Sequence, residues 1–159
     1  MAGFNVAKVW SHTKNGATPI LLLFDSNDGS LKAIIEAFAM DQMGTAGACG
    51  VATRWLADPI AEEFAIIGTG KQAISQIAAI LAVRPIRRIR VFSPNEGRPT
   101  RFVEPLSSEF EIESVAVSSV REAVEGASII TLGTWAKDPI LSADVVHHGR
   151  PRLSKVPYL

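Results

Sequence analysis

The stretch Phe64-Ala65-Ile66-Ile67-Gly68-Thr69-Gly70-Lys71-Gln72-Ala73 constrains this chain more than any other. A short apolar run enters Gly-x-Gly-x-x-Ala and then a helical pattern, which reads as a strand turning tightly into a helix. The glycines let backbone N–H groups gather at the helix N-terminus, an arrangement that takes the diphosphate of a dinucleotide. Such a run also occurs in plain βα turns. Here a strand precedes it, a helix follows and a second strand comes at the right distance, which makes it a nucleotide-binding candidate.

The rest of the chain is compatible with one globular protein. It has 159 residues, 47% of them hydrophobic and 20% charged, enough apolar material for a real core. Lys plus Arg and Asp plus Glu balance at 16 each, so no strong field is available to hold nucleic acid or an acidic membrane surface. A single cysteine, Cys49, leaves no internal disulfide framework and fits a reducing, cytoplasmic setting. No charged-then-apolar leader pattern opens the chain, and apolar runs such as 19–24 are too short to span a bilayer.

The first 60 residues and the next 90 have different patterns. Val6 to Trp10 reads as a short strand, Lys14-Asn15-Gly16 as a turn, and Ile20 to Phe24 and Leu31 to Ile35 as a hairpin across the turn-rich Asp25 to Ser30. Ala37 to Ala57 reads as a helix. Gly44, Gly47 and Gly50 each cost about 1 kcal/mol there relative to Ala, which implies a break near Gly44 or a close backbone contact. Asp58-Pro59 ends it, and the domain boundary falls near Asp58 to Glu63. From Phe64 onward strands and helices alternate. Strands are expected at Phe64 to Ile67, Ile89 to Phe92, Val115 to Val117 and Ser128 to Leu132. Helices are expected at Gln72 to Val83, with Ile74, Ile77, Ala78 and Leu81 inward, at Pro99 to Phe110, and from Ser119 to Gly126 behind a Ser119/Glu122 capping box. Alternation of this kind implies a parallel sheet with ligands at the carboxyl ends of its strands.

These elements together resemble the ornithine cyclodeaminase/μ-crystallin family. The resemblance rests on Lys8 in its strand, the hairpin with Asp25 and Gly29, Thr45-Ala46-Gly47-Ala48-Cys49-Gly50-Val51-Ala52-Thr53, Gly68-Thr69-Gly70-Lys71-Gln72-Ala73, Glu122-Ala123-Val124-Glu125-Gly126-Ala127 and Asp138-Pro139-Ile140-Leu141. It implies an α/β fold: a partial Rossmann-like parallel sheet preceded by part of an α+β substrate and dimerisation domain. The expected division is 1–60 for that partial domain, 61–150 for the NAD(P)-binding domain and 151–159 for a tail. It further implies a homodimer and hydride transfer between a nicotinamide and the α-carbon of a small amino or imino acid, by a cyclodeaminase, amino-acid dehydrogenase or ketimine reductase.

Members of the family are about twice this long, so the resemblance implies a partial-length member or fragment, marginally stable, dimeric or aggregating by itself. The family's catalytic aspartate lies in the part that this chain lacks, and no catalytic residue is assigned. Gly44 stands where the family has an arginine for the substrate carboxylate, and glycine offers no such bidentate contact. A catalytically inactive nucleotide-binding protein is therefore the alternative.

The cofactor site is expected at Gly68, Thr69, Gly70, Lys71, Gln72 and Ala73. The glycines serve the turn and the close approach, Ala73 serves helix packing, and the loop backbone serves phosphate. About 20 residues on, a carboxylate normally takes the ribose hydroxyls of NAD. This chain has Ser93 and Asn95 there, with Arg98 available for a 2′-phosphate and Glu96 nearby, so NADP is favoured over NAD. By the resemblance, Thr134 and Thr45 adjoin the cofactor and Lys8 the substrate. Taken alone, Thr134 also suits a local backbone cap and Lys8 a solvated surface position. His12, His147 and His148 lack ligand spacing for a metal, Cys49 reads as a packing residue, and Trp10, Trp55 and Trp135 are too dispersed to stack bases.

Overall fold

A computed structural model describes residues 3–13, 16–134, 136–143 and 145. Trp135, His147, His148, the Lys14-Asn15 turn and the 151–159 tail lie outside the described residues, as does the side chain of His12. The chain divides into two compact units, Met1–Gly44 and Thr45–Leu159.

The first unit holds an antiparallel sheet of three strands in the order β1-β2-β3, where β1 is Phe4–Thr13, β2 Gly16–Asp25 and β3 Leu31–Glu36. β1 is longer than the alternation of Val6 to Trp10 suggests, because it pairs with β2 along its whole length, from Phe4 opposite Asp25 to Thr13 opposite Gly16. The β2–β3 hairpin turns where expected. Asp25 Oδ1 accepts from the Asn27 N–H at 2.9 Å, Asp28 Oδ1 accepts from the Ser30 N–H at 2.8 Å, and Gly29 takes a φ of +70°. The Asn27 N–H and the Lys32 ammonium, 3.3 Å from Oδ2, hold the Asp25 carboxyl below its ordinary range.

Helix α1, Phe38–Leu56, starts in the first unit and ends in the second. It is unbroken at Gly44. Only the third of its expected weak points meets a neighbour: a Cβ on Gly50 would stand 3.1 Å from the Ala79 carbonyl oxygen, whereas Gly44 and Gly47 meet nothing within 4 Å. Ala46, Gly50 and Thr53 are buried, and tertiary packing of this kind routinely overrides helix propensity. The Arg84 guanidinium closes the far end, donating to the carbonyls of Arg54 at 2.6 Å and Ala57 at 2.8 Å.

The second unit is built on a parallel sheet in the order β6-β5-β4-β7, with β4 Glu63–Ile67, β5 Arg88–Phe92, β6 Glu113–Ala116 and β7 Ile129–Leu132. The intervening helices are α2 (Ala73–Leu81), α3 (Arg98–Phe110) and α4 (Val120–Val124). β4 is central and covered on both faces, as a continuous apolar run predicts. Phe64 and Ile66 pack with Ile77, Ile80, Ile89, Val91 and Leu106, while Ala65 and Ile67 pack with Val117, Ala123, Val124 and Ile130.

Two local expectations need correction. The inward face of α2 is Ala73, Gln76, Ile77 and Ile80, not the face begun by Ile74, which is 43% exposed. The phase is set by Ala73, which has no exposed surface. The capping box of α4 is half formed. Ser119 Oγ accepts from the Glu122 N–H at 3.1 Å, but the Glu122 carboxylate returns to the N–H and hydroxyl of Ser118, both at 2.8 Å, instead of Ser119. Those bonds, the backbone one foremost, hold the Glu122 carboxyl below its usual range.

Candidate dinucleotide site

β5 and β6 lie on one side of β4, and β7 on the other. The chain leaves β4 toward β5 on one side, and the crossover from β6 brings β7 to the other, so the strand order reverses at the crevice between the carboxyl ends of β4 and β7, a place of the kind that takes ligands in open α/β sheets. Gly68 and Gly133 meet there. The Gly68 N–H donates to the Phe92 carbonyl at 2.7 Å, and the Gly133 N–H to the Ile67 carbonyl at 2.8 Å. A Cβ on Gly68 would stand 2.2 Å from the Gly133 carbonyl oxygen, and the φ of Gly68 is +113°. Gly70 is different: a Cβ there would make an ordinary 3.5 Å contact with the same oxygen, and the residue is exposed. The first glycine is required by the protein's own backbone, and the second leaves open space at the turn.

α2 begins directly after this turn. Its Ala73 N–H bonds back to the Gly70 carbonyl at 3.0 Å, Gln72 occupies the N-cap without a side-chain cap, and no acidic residue lies in the first turn. The N-terminus of α3 is alike: Gly97 at the N-cap, no side-chain cap, no acid in the first turn, and Arg98 and Arg101 there instead. Neither helix thus carries an acid in its first turn, which favours an anion there, although Glu96 immediately precedes the N-cap of α3. α4, by contrast, carries Glu122 in its first turn.

The expected site residues divide by unit. Gly68, Thr69, Gly70, Lys71, Gln72 and Ala73 form the β4–α2 turn, and Ser93, Asn95 and Arg98 follow β5, with Ser93 buried and Asn95 and Arg98 exposed. Thr69 Oγ1 is buried without a hydrogen-bond partner among the described residues. Thr134 follows β7, where its Oγ1 accepts from the Ala136 N–H at 3.1 Å, the local backbone cap that its residue type suggested. Thr45 lies half-buried in α1. Lys8 lies in the first unit on β1, ion-paired with Asp41 of α1 and 5.6 Å from the centre of the Trp10 ring.

Cys49 is half-buried, 4.0 Å from Thr131 Oγ1, and burial pushes its thiol above the ordinary range, away from the thiolate a nucleophile needs. Among the described residues no three His, Cys, Asp or Glu gather as a metal site, and no helix is long and apolar enough to cross a membrane.

Residues 6–151 match the sequence profile of the Ornithine cyclodeaminase/mu-crystallin family. The chain belongs to that family. It is 30% identical to a Delta(1)-pyrroline-2-carboxylate reductase of Bacillus cereus over 94% of its own length and 48% of that protein's. It is also 30% identical to the ketimine reductase mu-crystallin of Rattus norvegicus, over 81% of this chain and 40% of that one. Among solved structures, the Delta(1)-pyrroline-2-carboxylate reductase of Thermococcus litoralis, in complex with NADH and L-proline, superposes with a TM-score of 0.84 at 31% identity, covering 89% of this chain and 46% of that chain. The chain thus spans about half the length of the relatives it matches.

Membership in the family gives the α/β fold and the ordered motifs a common source. By sequence, Gly133 falls after the last strand, at one of the strand ends where ligands are expected, but its contact with Gly68 is not legible because the two are distant along the chain. Gln76 is not singled out by the sequence, because the helix face is phased there from Ile74.

Proposed function

We propose that this chain carries the NAD(P)-binding part, with part of the substrate domain, of an enzyme that transfers hydride at the α-carbon of a small amino or imino acid. The observation that carries this reading is the Gly68–Gly133 crevice beside the acid-free N-terminus of α2. The turn 68–73 would hold the diphosphate, with Ala73 keeping α2 close against the sheet. When bound, the nicotinamide would supply or accept the hydride. Ser93, Asn95 and Arg98 would hold the adenosine ribose, and the exposed Arg98 at the start of α3 favours the 2′-phosphate of NADP. Lys8, ion-paired with Asp41, would bind the substrate, and Thr134 and Thr45 would adjoin the cofactor. A homodimer and a cytoplasmic setting belong to the same reading.

Titration with NADPH and NADH, followed by nicotinamide fluorescence, tests it. NADPH is expected to bind more tightly, and Arg98→Ala to weaken NADPH about tenfold, roughly 1.4 kcal/mol, while leaving NADH unchanged. Failure of the chain to bind either nucleotide would overturn the proposal.

A second reading rests on Gly44. This residue replaces the arginine expected for the substrate carboxylate, so the protein binds nucleotide without turning over an amino acid. The helix surface admits the missing side chain, since nothing lies within 4 Å of a Cβ there. On this reading the chain binds NADPH and shows no turnover with a panel of amino acids and cyclic imines. Full turnover of that panel by the chain rules it out.

A further inference from the structure

Gln76 is an amide among the apolar inward residues of α2, Ala73, Ile77 and Ile80. It is 8% exposed, and its Oε1 has no hydrogen-bond partner among the described residues. The oxygen faces the loop after β7: it lies 3.7 Å from where a Cβ on Gly133 would be, with the Gly68 carbonyl oxygen 3.8 Å and the Ile67 carbonyl oxygen 4.0 Å from the same point. All three are acceptors, and that of Ile67 already takes the Gly133 N–H. For folding alone, an apolar side chain of this size would serve better than a dry amide oxygen. A donor is what the position lacks.

A dinucleotide diphosphate has only acceptor oxygens, so it cannot satisfy Oε1 directly. A water can, because it donates one hydrogen to the amide oxygen and the other to a phosphate oxygen. We propose that Gln76 is a positioning residue for the dinucleotide: its buried Oε1 accepts from a water of the diphosphate's hydration shell, tying the bound diphosphate to the Gly133 loop. This rests on the dinucleotide-binding reading above.

The test uses the full chain, NADPH and Gln76→Met, which keeps length and volume but removes the acceptor. Without nucleotide, Gln76→Met should melt no lower than the parent, because a dry polar group is gone. Its Kd for NADPH should rise about tenfold, which is ~1.4 kcal/mol. An ordinary structural glutamine would show the opposite in the first measurement, a lower melting temperature without nucleotide. That result, failure of the variant to fold, or an unchanged Kd overturns the inference alone. Absence of NADPH and NADH binding by the parent overturns the dinucleotide reading with it.

Discussion

The Gly68→Ala chain is expected to melt about 10 °C below the parent and to bind no dinucleotide. Two independent effects act at this position. Its φ of +113° lies where a residue with a Cβ is strained, at about 1–3 kcal/mol. The added carbon would also stand 2.2 Å from the Gly133 carbonyl oxygen and 2.6 Å from its carbon, which are backbone atoms and cannot swing aside as a side chain can. Forcing such an overlap costs about 1–3 kcal/mol more, through movement of the β7 end away from β4. Together they come to roughly 2–6 kcal/mol, at about 2–4 °C per kcal/mol for a chain of this size. Circular dichroism melts and NADPH titration check both halves of the expectation. A variant that melts with the parent would show that the Gly68 and Gly133 backbones do not approach so closely.

What the sequence disclosed follows from how local each signal is. The β4 run and its turn were legible because four apolar residues and two glycines are contiguous, and the alternation that follows leaves few topologies open. The three-stranded sheet was partly legible. Hairpin β2–β3 is specified by its own turn residues, but the length of β1 comes from pairing with β2. The helices show where periodicity fails. α2 has apolar residues nearly all round, so the pattern alone could not choose between faces that start at Ala73 and at Ile74, and the error hid Gln76. Gly44 and Gly50 looked equivalent, yet only Gly50 has another backbone beside it. In the site, the β4–α2 turn was readable and Gly133 fell at a strand end where ligands are expected, but the approach of Gly133 to Gly68 was not readable, since Gly133 follows a strand reached only after two further strands and three helices have been laid down.

Gly70 separates folding from binding in a way Gly68 cannot. Alanine at Gly70 is expected to leave the melting temperature within about 2 °C of the parent and to raise the Kd for NADPH tenfold or more, ~1.4 kcal/mol upward. Its φ lies outside the left-handed region, and the nearest atom to an added Cβ is the Gly133 carbonyl oxygen at 3.5 Å, an ordinary contact. Nothing in the protein therefore demands glycine there. The added methyl would project from an exposed turn at the mouth of α2, where a diphosphate must come against the backbone to reach the helix N–H groups. If glycine serves the ligand, the substitution harms only binding. If the turn is merely a turn, the variant binds as the parent does, or both bind nothing. Calorimetric melting with and without NADPH separates these outcomes. Equal NADPH-induced stabilisation of the parent and Gly70→Ala would remove the diphosphate from this turn. A low melting point without nucleotide would instead place Gly70 with Gly68 among the residues the fold itself requires.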